Sequence, residues 1–247
     1  MKKKIHRDIL VRFDSLPDVI EHGTINPVNA CVNMHDVVKI IAPTQVTAFA
    51  RYDPVEIIKY PHPTLRYQSK PLKRIDAALR ETITEMFQLM YEAQGIGLAA
   101  NQVDLPYRLF VLNIHEERSK EHEMVFINPV ISKPKDPDEK EEGCLSLPGV
   151  YAPVRRPASI HLTALNLSGE TIEGDFGGLL ARAIQHETDH LDGILFIDRL
   201  ADLVQKQLQD ELDQFQKTHD ANRSQNVIPP DEIIFDRLAA MESAYCV

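Results

Sequence analysis

A chain of 247 residues is long enough to bury a core of its own, so one domain with additional segments is expected. Its formal net charge of −10 argues against a general nucleic-acid-binding protein, because phosphate contacts require clustered Lys and Arg. No apolar run is long enough to span a membrane, and three scattered cysteines do not make a disulfide framework, so we expect a protein of the reducing cytoplasm.

The first predicted helix follows a long stretch without a clear pattern. Residues 1–52 show no sustained helical or alternating period and are predicted to form an irregular extension. A short strand-like run at 55–60 is predicted to begin the regular structure. From Asp76 to about Ala93 the apolar residues fall on one face, which predicts a helix with a buried stripe. A Gly-Ile-Gly sequence then ends this helix.

Short strands are predicted in the middle of the chain. Apolar runs at 108–114 and 124–127 indicate two strands, and the run at 160–167 alternates cleanly between apolar and polar residues. Residues 133–138 have the proline-containing, charged composition of a surface loop. A Ser-Gly turn signal then leads to a further strand at 171–173.

A second helix is predicted from about residue 176 to residue 191. Its predicted buried side consists of Leu179, Leu180, Ala183, Ile184 and Leu191. A polar third helix is predicted at about 201–218, a loop at 219–230, and a short terminal helix after that loop. Few helices and several strands outside a βαβ rhythm predict an α+β fold, with small mixed or antiparallel sheets packed around the second helix.

The second helix carries the motif HExxH as His186-Glu187-Thr188-Asp189-His190. Two histidines four residues apart lie on one helical face, so both imidazoles can reach one metal ion. Glu187 follows the first of them, where a carboxylate can take a proton from water bound to the metal. Taken alone, the motif also fits a polar surface helix with chance histidines.

The sequence after His190 contains no third His ligand, but Cys144 lies upstream in a Glu-Gly-Cys-Leu-Ser sequence. One thiolate and two imidazoles, with a fourth position for water, form a recognised catalytic zinc or iron-type set. The alternative interpretation of Cys144 is a small buried hydrophobic residue. A third block at 95–102 combines two glycines and two alanines with Gln102, and by itself this block indicates only a helix-ending turn.

Together, GxGxAAxQ at 95–102, EGCLS at 142–146 and HExDH at 186–190 resemble the three signature motifs of peptide deformylases. The resemblance covers roughly residues 53–200 and implies an α+β catalytic domain there, followed by a helical and loop tail at 201–247. It implies removal of the N-formyl group from the initiator methionine of new polypeptides, with release of formate. It also implies one divalent ion, usually Fe(II), with Zn(II), Ni(II) or Co(II) able to occupy the site.

The resemblance also assigns roles to residues of this chain. The implied metal ligands are Cys144, His186 and His190. The implied catalytic groups are Glu187 as general base and then acid, with Gln102 and the Leu145 N–H stabilising the oxyanion. The implied substrate contacts are the backbone at Gly97 and Gly143 and a methionine pocket formed with Leu179 and Ala183.

Two features depart from the family pattern. Many bacterial members have an Arg seven residues after the ligand Cys, where this chain has Tyr151. Residues 201–247 hold nine Asp and Glu against four Lys and Arg, a net charge of −5, unlike the basic tail with which some members contact the ribosome. We therefore expect formyl-methionyl nascent peptides as partners, leave a transient ribosome contact open, and expect neither a membrane nor a specific nucleic-acid sequence as a partner.

Three other functions are compatible with parts of the pattern. A zincin-like endopeptidase shares HExxH, but the upstream Cys144 and the missing downstream ligand argue against it. A non-catalytic, metal-stabilised binding module has no use for Glu187 and Gln102. A related enzyme acting on another formyl or small acyl amide keeps the same motifs, which define the chemistry better than the substrate.

Overall fold

The computed structural model describes residues 56–247. The predicted irregular extension at 1–52 lies outside the described residues. No helix in the described part of the chain combines the length and the apolar content that crossing a membrane requires.

Five antiparallel strands form one sheet, in which each strand lies beside its neighbour in the sequence. The strands are β1 (Gly97–Ala99), β2 (Leu109–Leu112), β3 (Met124–Cys144), β4 (Leu147–Leu165) and β5 (Thr171–Gly177). The strands predicted at 108–114, 124–127, 160–167 and 171–173 are thereby confirmed. The α+β class is confirmed as well, with a single antiparallel sheet in place of several small ones.

The loop predicted at 133–138 is wrong, because these residues lie inside β3. The partner strand β2 covers only the first four residues of β3, so beyond them β3 has β4 alone as a neighbour. Its other edge is open, and prolines are tolerated at an open edge because no ladder hydrogen bond is lost there. The strand is irregular here. Lys133 and Asp136 have left-handed backbone conformations, and the register with β4 shifts between Ser132 and Lys135. These irregularities allow residues of loop-like composition to lie within the strand.

Two helices pack on opposite faces of the sheet. Asp76 caps the N-terminus of helix α1 (Ala77–Glu92): its carboxylate accepts a hydrogen bond from the Leu79 N–H at 3.0 Å. The helix buries the apolar stripe that the sequence predicts. Strand β2 is buried on both faces. Val111 packs in the hydrophobic cluster that contains Leu79, Ile83, Met86 and Met90 (the α1 cluster), and Phe110 packs in the cluster around the second helix. The hydrophobic core around β2 therefore has two layers, one on each side of the sheet, and a third cluster packs Leu147, Val150 and Val154 of β4 against Leu195 and Phe196.

The second helix, α2 (Gly178–Leu191), contacts β1, β2, β4 and β5, and most of its residues are buried. The prediction that Leu179 lies on its buried side is wrong, because this side chain is 52% exposed. Leu179 shares a helical face with Ala183, but it lies in the first turn of the helix. On this helical face the side chains are buried only from the next turn onward, where Ala183 is 6% exposed.

The C-terminal part of the chain is more helical than the sequence predicts. It contains α3 (Asp202–Gln207), α4 (Gln209–Ser224) and α5 (Asp231–Tyr245), so the predicted third helix is interrupted at Leu208 and the predicted loop at 219–230 is helical up to Ser224. Helix α5 returns to the domain, where the Tyr245 hydroxyl donates to Asp76 Oδ2 at 2.8 Å and the Val247 N–H to the Pro71 carbonyl at 3.0 Å.

The strand predicted at 55–60 is wrong for the described residues 56–60, which join no strand ladder. Two of their N–H groups bond instead to separate elements. The Ile58 N–H donates to the Gln102 carbonyl at 2.9 Å, and the Tyr60 N–H donates to the Ser146 carbonyl at 2.9 Å. This segment therefore joins the regions around Gln102 and Ser146.

Candidate metal centre

Helix α2 brings two imidazoles to one place. His186 and His190 are one helical turn apart, and their ring centroids are separated by 5.0 Å with the ring planes at 77°. His190 is buried, whereas His186 keeps partial exposure. One imidazole is therefore fixed in the core and the other borders the accessible side of the site.

Cys144, the last residue of β3, lies beside the two imidazoles. Its Sγ lies 3.3 Å from His190 Nε2, and the candidate ligand atoms of Cys144, His186 and His190 all lie within 4.8 Å of one another. Among residues 56–247 this is the one group of three or more His, Cys, Asp or Glu side chains close enough to hold a metal ion. The structure thus brings together the three ligands that the sequence predicts.

A buried carboxylate supports the first imidazole. Glu142 Oε2 lies 3.1 Å from His186 Nδ1, and the Arg156 guanidinium donates to both oxygens of Glu142, at 2.6 and 2.9 Å. Arg182 adds a third donor to Glu142 at 2.7 Å. Burial alone raises the pKa of Glu142, but the hydrogen bonds from His186 and Arg156 outweigh it and lower this pKa to about 2. Glu142 therefore stays ionised and fixes the orientation of the His186 ring.

Asp189, inside the HExDH motif, has a structural role. It accepts a hydrogen bond from Arg156 Nη1 at 2.6 Å and also bonds to Arg199. Arg156 thereby joins Asp189 and Glu142 into one buried ion network. The sequence interpretation missed Arg156 and Arg182. A signal existed, because Arg156 continues the inward-facing alternation of β4 after Ala152 and Val154.

The charges around the site favour a cation. Burial lowers the pKa of His186, but hydrogen bonds to Cys144 and Glu142 outweigh burial and raise this pKa to about 10 in the metal-free protein, so a metal ion must displace the His186 proton to bind there. Burial and the neighbouring His186 hold the pKa of His190 well below its usual value, so His190 remains the neutral imidazole that binds metals. This donor set of one sulfur and two nitrogens fits a divalent ion of the zinc or iron type.

Glu187 follows His186 and points to a different wall of the site. It is 4% exposed, and its Oε2 is buried without a hydrogen-bond partner among the described residues. Burial raises the pKa of Glu187 to about 7. A carboxyl group with this pKa can both accept and return a proton near neutral pH, which is the property that general acid–base catalysis requires.

The amide of Gln102 is held with its donor towards the metal centre. Gln102 is 1% exposed, and its Oε1 accepts a hydrogen bond from the Ala99 N–H at 2.8 Å. Because Oε1 is fixed on that side, Nε2 faces Cys144 Sγ at 3.4 Å and Ser146 Oγ at 3.2 Å. A donor therefore lies beside the Cys144 sulfur.

Two glycines border the site where larger residues do not fit. A Cβ at Gly97 would overlap Oε1 of Glu187, and a Cβ at Gly143 would lie 2.5 Å from the Tyr151 ring. Tyr151 itself is 62% exposed and is the register partner of Gly143 on β4. The backbone at both glycines is therefore closely approached by side chains, Glu187 inside the site and Tyr151 at its surface.

The predicted methionine-pocket residues lie on α2 upstream of the ligands. Ala183 is buried and lies three residues before His186, so both are on neighbouring positions of one helical face. Leu179, one turn before Ala183 and two turns before His186, is exposed and offers an apolar surface. Leu145, half-buried, follows Cys144 directly and forms with Ser146 the short connection between β3 and β4.

Comparison with known proteins relates this arrangement to one family. Residues 54–206 match the model of the polypeptide deformylase family. A peptide deformylase of Rhodopirellula baltica is 42% identical over 192 residues, which are 78% of this chain and 96% of that protein. A peptide deformylase of Neisseria meningitidis is 44% identical over 66% of this chain and 96% of that protein. The crystal structure of a peptide deformylase from Legionella pneumophila superposes with a TM-score of 0.61 at 38% identity, covering 66% of this chain and 96% of that chain.

Proposed function

The chain belongs to the polypeptide deformylase family, and from this premise we propose how its own residues carry out the reaction. As a member of that family it is a metal-dependent hydrolase that removes the N-formyl group from nascent peptides and releases formate. The observation that carries the residue assignment is the convergence of Cys144, His186 and His190 beside the buried carboxyl group of Glu187.

Cys144, His186 and His190 hold the divalent ion, and we propose Fe(II) as its usual identity, with Zn(II), Ni(II) and Co(II) able to replace it. Such an ion supplies Lewis acidity, which lowers the pKa of a water ligand and polarises the formyl carbonyl. The chain contributes the geometry of the donor set. Glu142, fixed by two arginines, orients His186, and the protein fold orients Cys144 at the end of β3.

Replacing Cys144 with Ser is expected to weaken metal binding by at least about tenfold, because a hydroxyl does not ionise to a strong ligand as a thiol does. Metal content after equilibrium dialysis against a chelator measures this effect directly. Cys246 is buried far from the ligand group in the α1 cluster, so Cys246→Ser serves as the control thiol substitution. Unchanged metal affinity in Cys144→Ser would remove Cys144 from the ligand set.

Glu187 acts on the attacking water and then on the leaving group. It accepts a proton as the water oxygen bonds to the formyl carbon, and it returns that proton to the amine nitrogen as the C–N bond breaks. The products are formate and a peptide with a free N-terminal amine. The pKa of about 7 that burial gives Glu187 suits both transfers.

Replacing Gly97 with Ala is expected to lower kcat roughly 100-fold, because the new Cβ would displace the Glu187 carboxylate from its working position. The same Cβ would lie 2.7 Å from Cδ2 of Leu112, which is fully buried and cannot move aside. Steady-state kinetics on a formyl-methionyl peptide measures the loss. Gly174→Ala is the matched control, since its Cβ would meet only the Phe176 ring at 3.8 Å. Equal losses in both variants would contradict the assignment.

Two donors stabilise the oxyanion that forms on the former carbonyl oxygen. They are the Gln102 amide, which the Ala99 N–H holds in orientation, and the backbone N–H of Leu145. Preorganised donors of this kind stabilise the transition state more than the substrate, because the charge on the oxygen grows during the reaction. We expect formyl selectivity to follow from a site that admits the hydrogen of a formyl group and excludes a larger acyl substituent.

The peptide binds along the backbone at Gly97 and Gly143, and its methionine side chain packs against α2 at Ala183 and Leu179. Gly97 lies on β1, the outermost strand of the described sheet, where main-chain groups can pair with an extended peptide. The exposure of Leu179 suits a pocket wall that substrate covers. Tyr151, the register partner of Gly143, offers an exposed aromatic side chain where many bacterial members have an Arg.

We assign residues 53–200 to the catalytic domain and residues 201–247 to a C-terminal tail, with 1–52 as an extension of unassigned purpose. The tail carries nine acidic and four basic residues, so contact with ribosomal RNA through this tail is electrostatically unfavourable, and any ribosome contact is transient. The free thiol of Cys144 requires a reducing compartment, which supports the cytoplasm as the site of action.

Substrate selectivity tests this function against its alternatives. The chain should release formate from formyl-Met-Ala-Ser and leave acetyl-Met-Ala-Ser intact. Release of acetate at a comparable rate would indicate a broader small-acyl amidase. Cleavage of an internal peptide bond would indicate an endopeptidase.

A further inference from the structure

Three consecutive residues outside the signature motifs contact both regions that carry the oxyanion donors. The Ile58 N–H bonds to the Gln102 carbonyl and the Tyr60 N–H to the Ser146 carbonyl, each at 2.9 Å. Between these two, the ammonium of Lys59 donates to the carbonyl oxygen of Leu145 at 2.8 Å. The segment 58–60 therefore holds the backbone at Gln102 and at the connection that follows Cys144.

The bond from Lys59 acts on the peptide unit next to the thiolate. The Leu145 carbonyl belongs to the same peptide unit as the Ser146 N–H, and that N–H faces Cys144 Sγ at 3.4 Å. A cation on the carbonyl oxygen polarises the unit and makes its N–H a stronger donor. The chain of bonds thus runs from the Lys59 ammonium through one peptide unit to the Cys144 sulfur.

The side chain of Lys59 lies at the surface and fills no space in the hydrophobic core. Partial burial lowers the pKa of Lys59, and the nearby Cys144 and Glu56 oppose this shift. A substitution here removes the charge and the donor without leaving a cavity.

We propose that Lys59 is a positioning residue of the deformylase site: its ammonium fixes the Leu145–Ser146 connection, which directs the Leu145 N–H at the oxyanion and the Ser146 N–H at the Cys144 thiolate. This inference rests on the oxyanion and ligand roles proposed above. It adds to the site a residue that touches neither substrate nor metal and that acts through the backbone of Leu145.

The test compares Lys59→Met with Lys59→Arg and Lys73→Met in the full chain. Lys73 is the matched control because its Nζ also donates to a main-chain carbonyl, that of Ser243 at 3.4 Å, on the helix α5. Each protein is assayed with formyl-Met-Ala-Ser, and each is also loaded with Co(II), whose absorption includes a sulfur-to-metal charge-transfer band. The band reports the hydrogen bonding of the thiolate and does not depend on turnover.

For Lys59→Met we expect kcat to fall about tenfold with little change in KM, the size of effect that loss of a charge-assisted hydrogen bond produces. The charge-transfer band should move to longer wavelength, because a thiolate with a weaker N–H donor holds its electrons less tightly. Lys59→Arg should recover most of both properties, and Lys73→Met should match the unmodified protein.

A band in Lys59→Met that stays at the position of the unmodified protein would overturn the proposal, whether or not turnover falls. So would a kcat equal to that of Lys73→Met. Failure of the proposed function is a separate result, since it appears as absence of formate release from the unmodified protein, while the band comparison still decides the role of Lys59.

Discussion

Replacing Glu187 with Gln should lower kcat by about 1,000-fold while the protein keeps its full complement of metal. The amide has the shape of the carboxyl group but cannot accept the proton of the attacking water or return it to the amine. Glu187 is absent from the group of candidate ligand atoms around Cys144, so we expect metal binding not to depend on it. Turnover and metal content measured on one sample separate the two properties.

The control for this variant is Glu173→Gln, which makes the same chemical change on the exposed strand β5, where the Glu173 side chain is 62% exposed. It should retain both activity and metal. If metal content fell together with activity in Glu187→Gln, Glu187 would be a ligand or a structural residue, and its assignment as the acid–base group would be wrong.

Replacing Gln102 with Met should lower kcat by about 100- to 1,000-fold with a small change in KM, as loss of an oxyanion donor does. Met preserves the length of the buried side chain but offers no N–H. The Gln102 amide donates beside Cys144 and Ser146, and the Ala99 N–H fixes its orientation, so the substitution removes a preorganised donor.

Gln185→Met provides the matched control, because Gln185 is also a buried amide and lies next to the candidate ligand His186 on α2. Its Nε2 donates to the carbonyls of Pro157 and Ala181 and not into the site. We expect this variant to lose stability and to keep the kcat of its folded fraction. A Gln102→Met enzyme with the same kcat as Gln185→Met would show that Gln102 stabilises the fold and not the oxyanion.

The sequence predicts the elements of this fold wherever apolar periodicity is strong. The stripe of α1 and the alternation of β4 depend on local spacing alone, and both are found where expected. The errors occur where composition and tertiary context disagree. Residues 133–138 look like a loop, yet they pair with β4 as part of β3, whose other edge is open and tolerates prolines. Leu179 fits the apolar stripe of α2, but on that helical face burial begins only at Ala183.

The candidate ligands of the site can be predicted from the sequence, whereas the residues that orient them are harder to predict. Cys144 and the HExDH histidines belong to short motifs with the residue types and spacing of a metal site, so the local sequence alone identifies them as candidate ligands. Arg156 and Lys59 lie outside those motifs and act through contacts that only the folded chain creates, with Glu142 in one case and with the Leu145 carbonyl in the other. Alternation along β4 marks Arg156 as an inward-facing residue, but local spacing does not reveal which long-range partner either side chain contacts.

The central claim is that this chain hydrolyses formyl-methionyl peptides at an ion held by Cys144, His186 and His190. The most direct measurement is formate release from formyl-Met-Ala-Ser by anaerobically purified protein, with metal content determined on the same sample across a chelator titration. Formate production should rise and fall in proportion to bound metal, at one ion per chain. Fully metallated protein that releases no formate would contradict the claim.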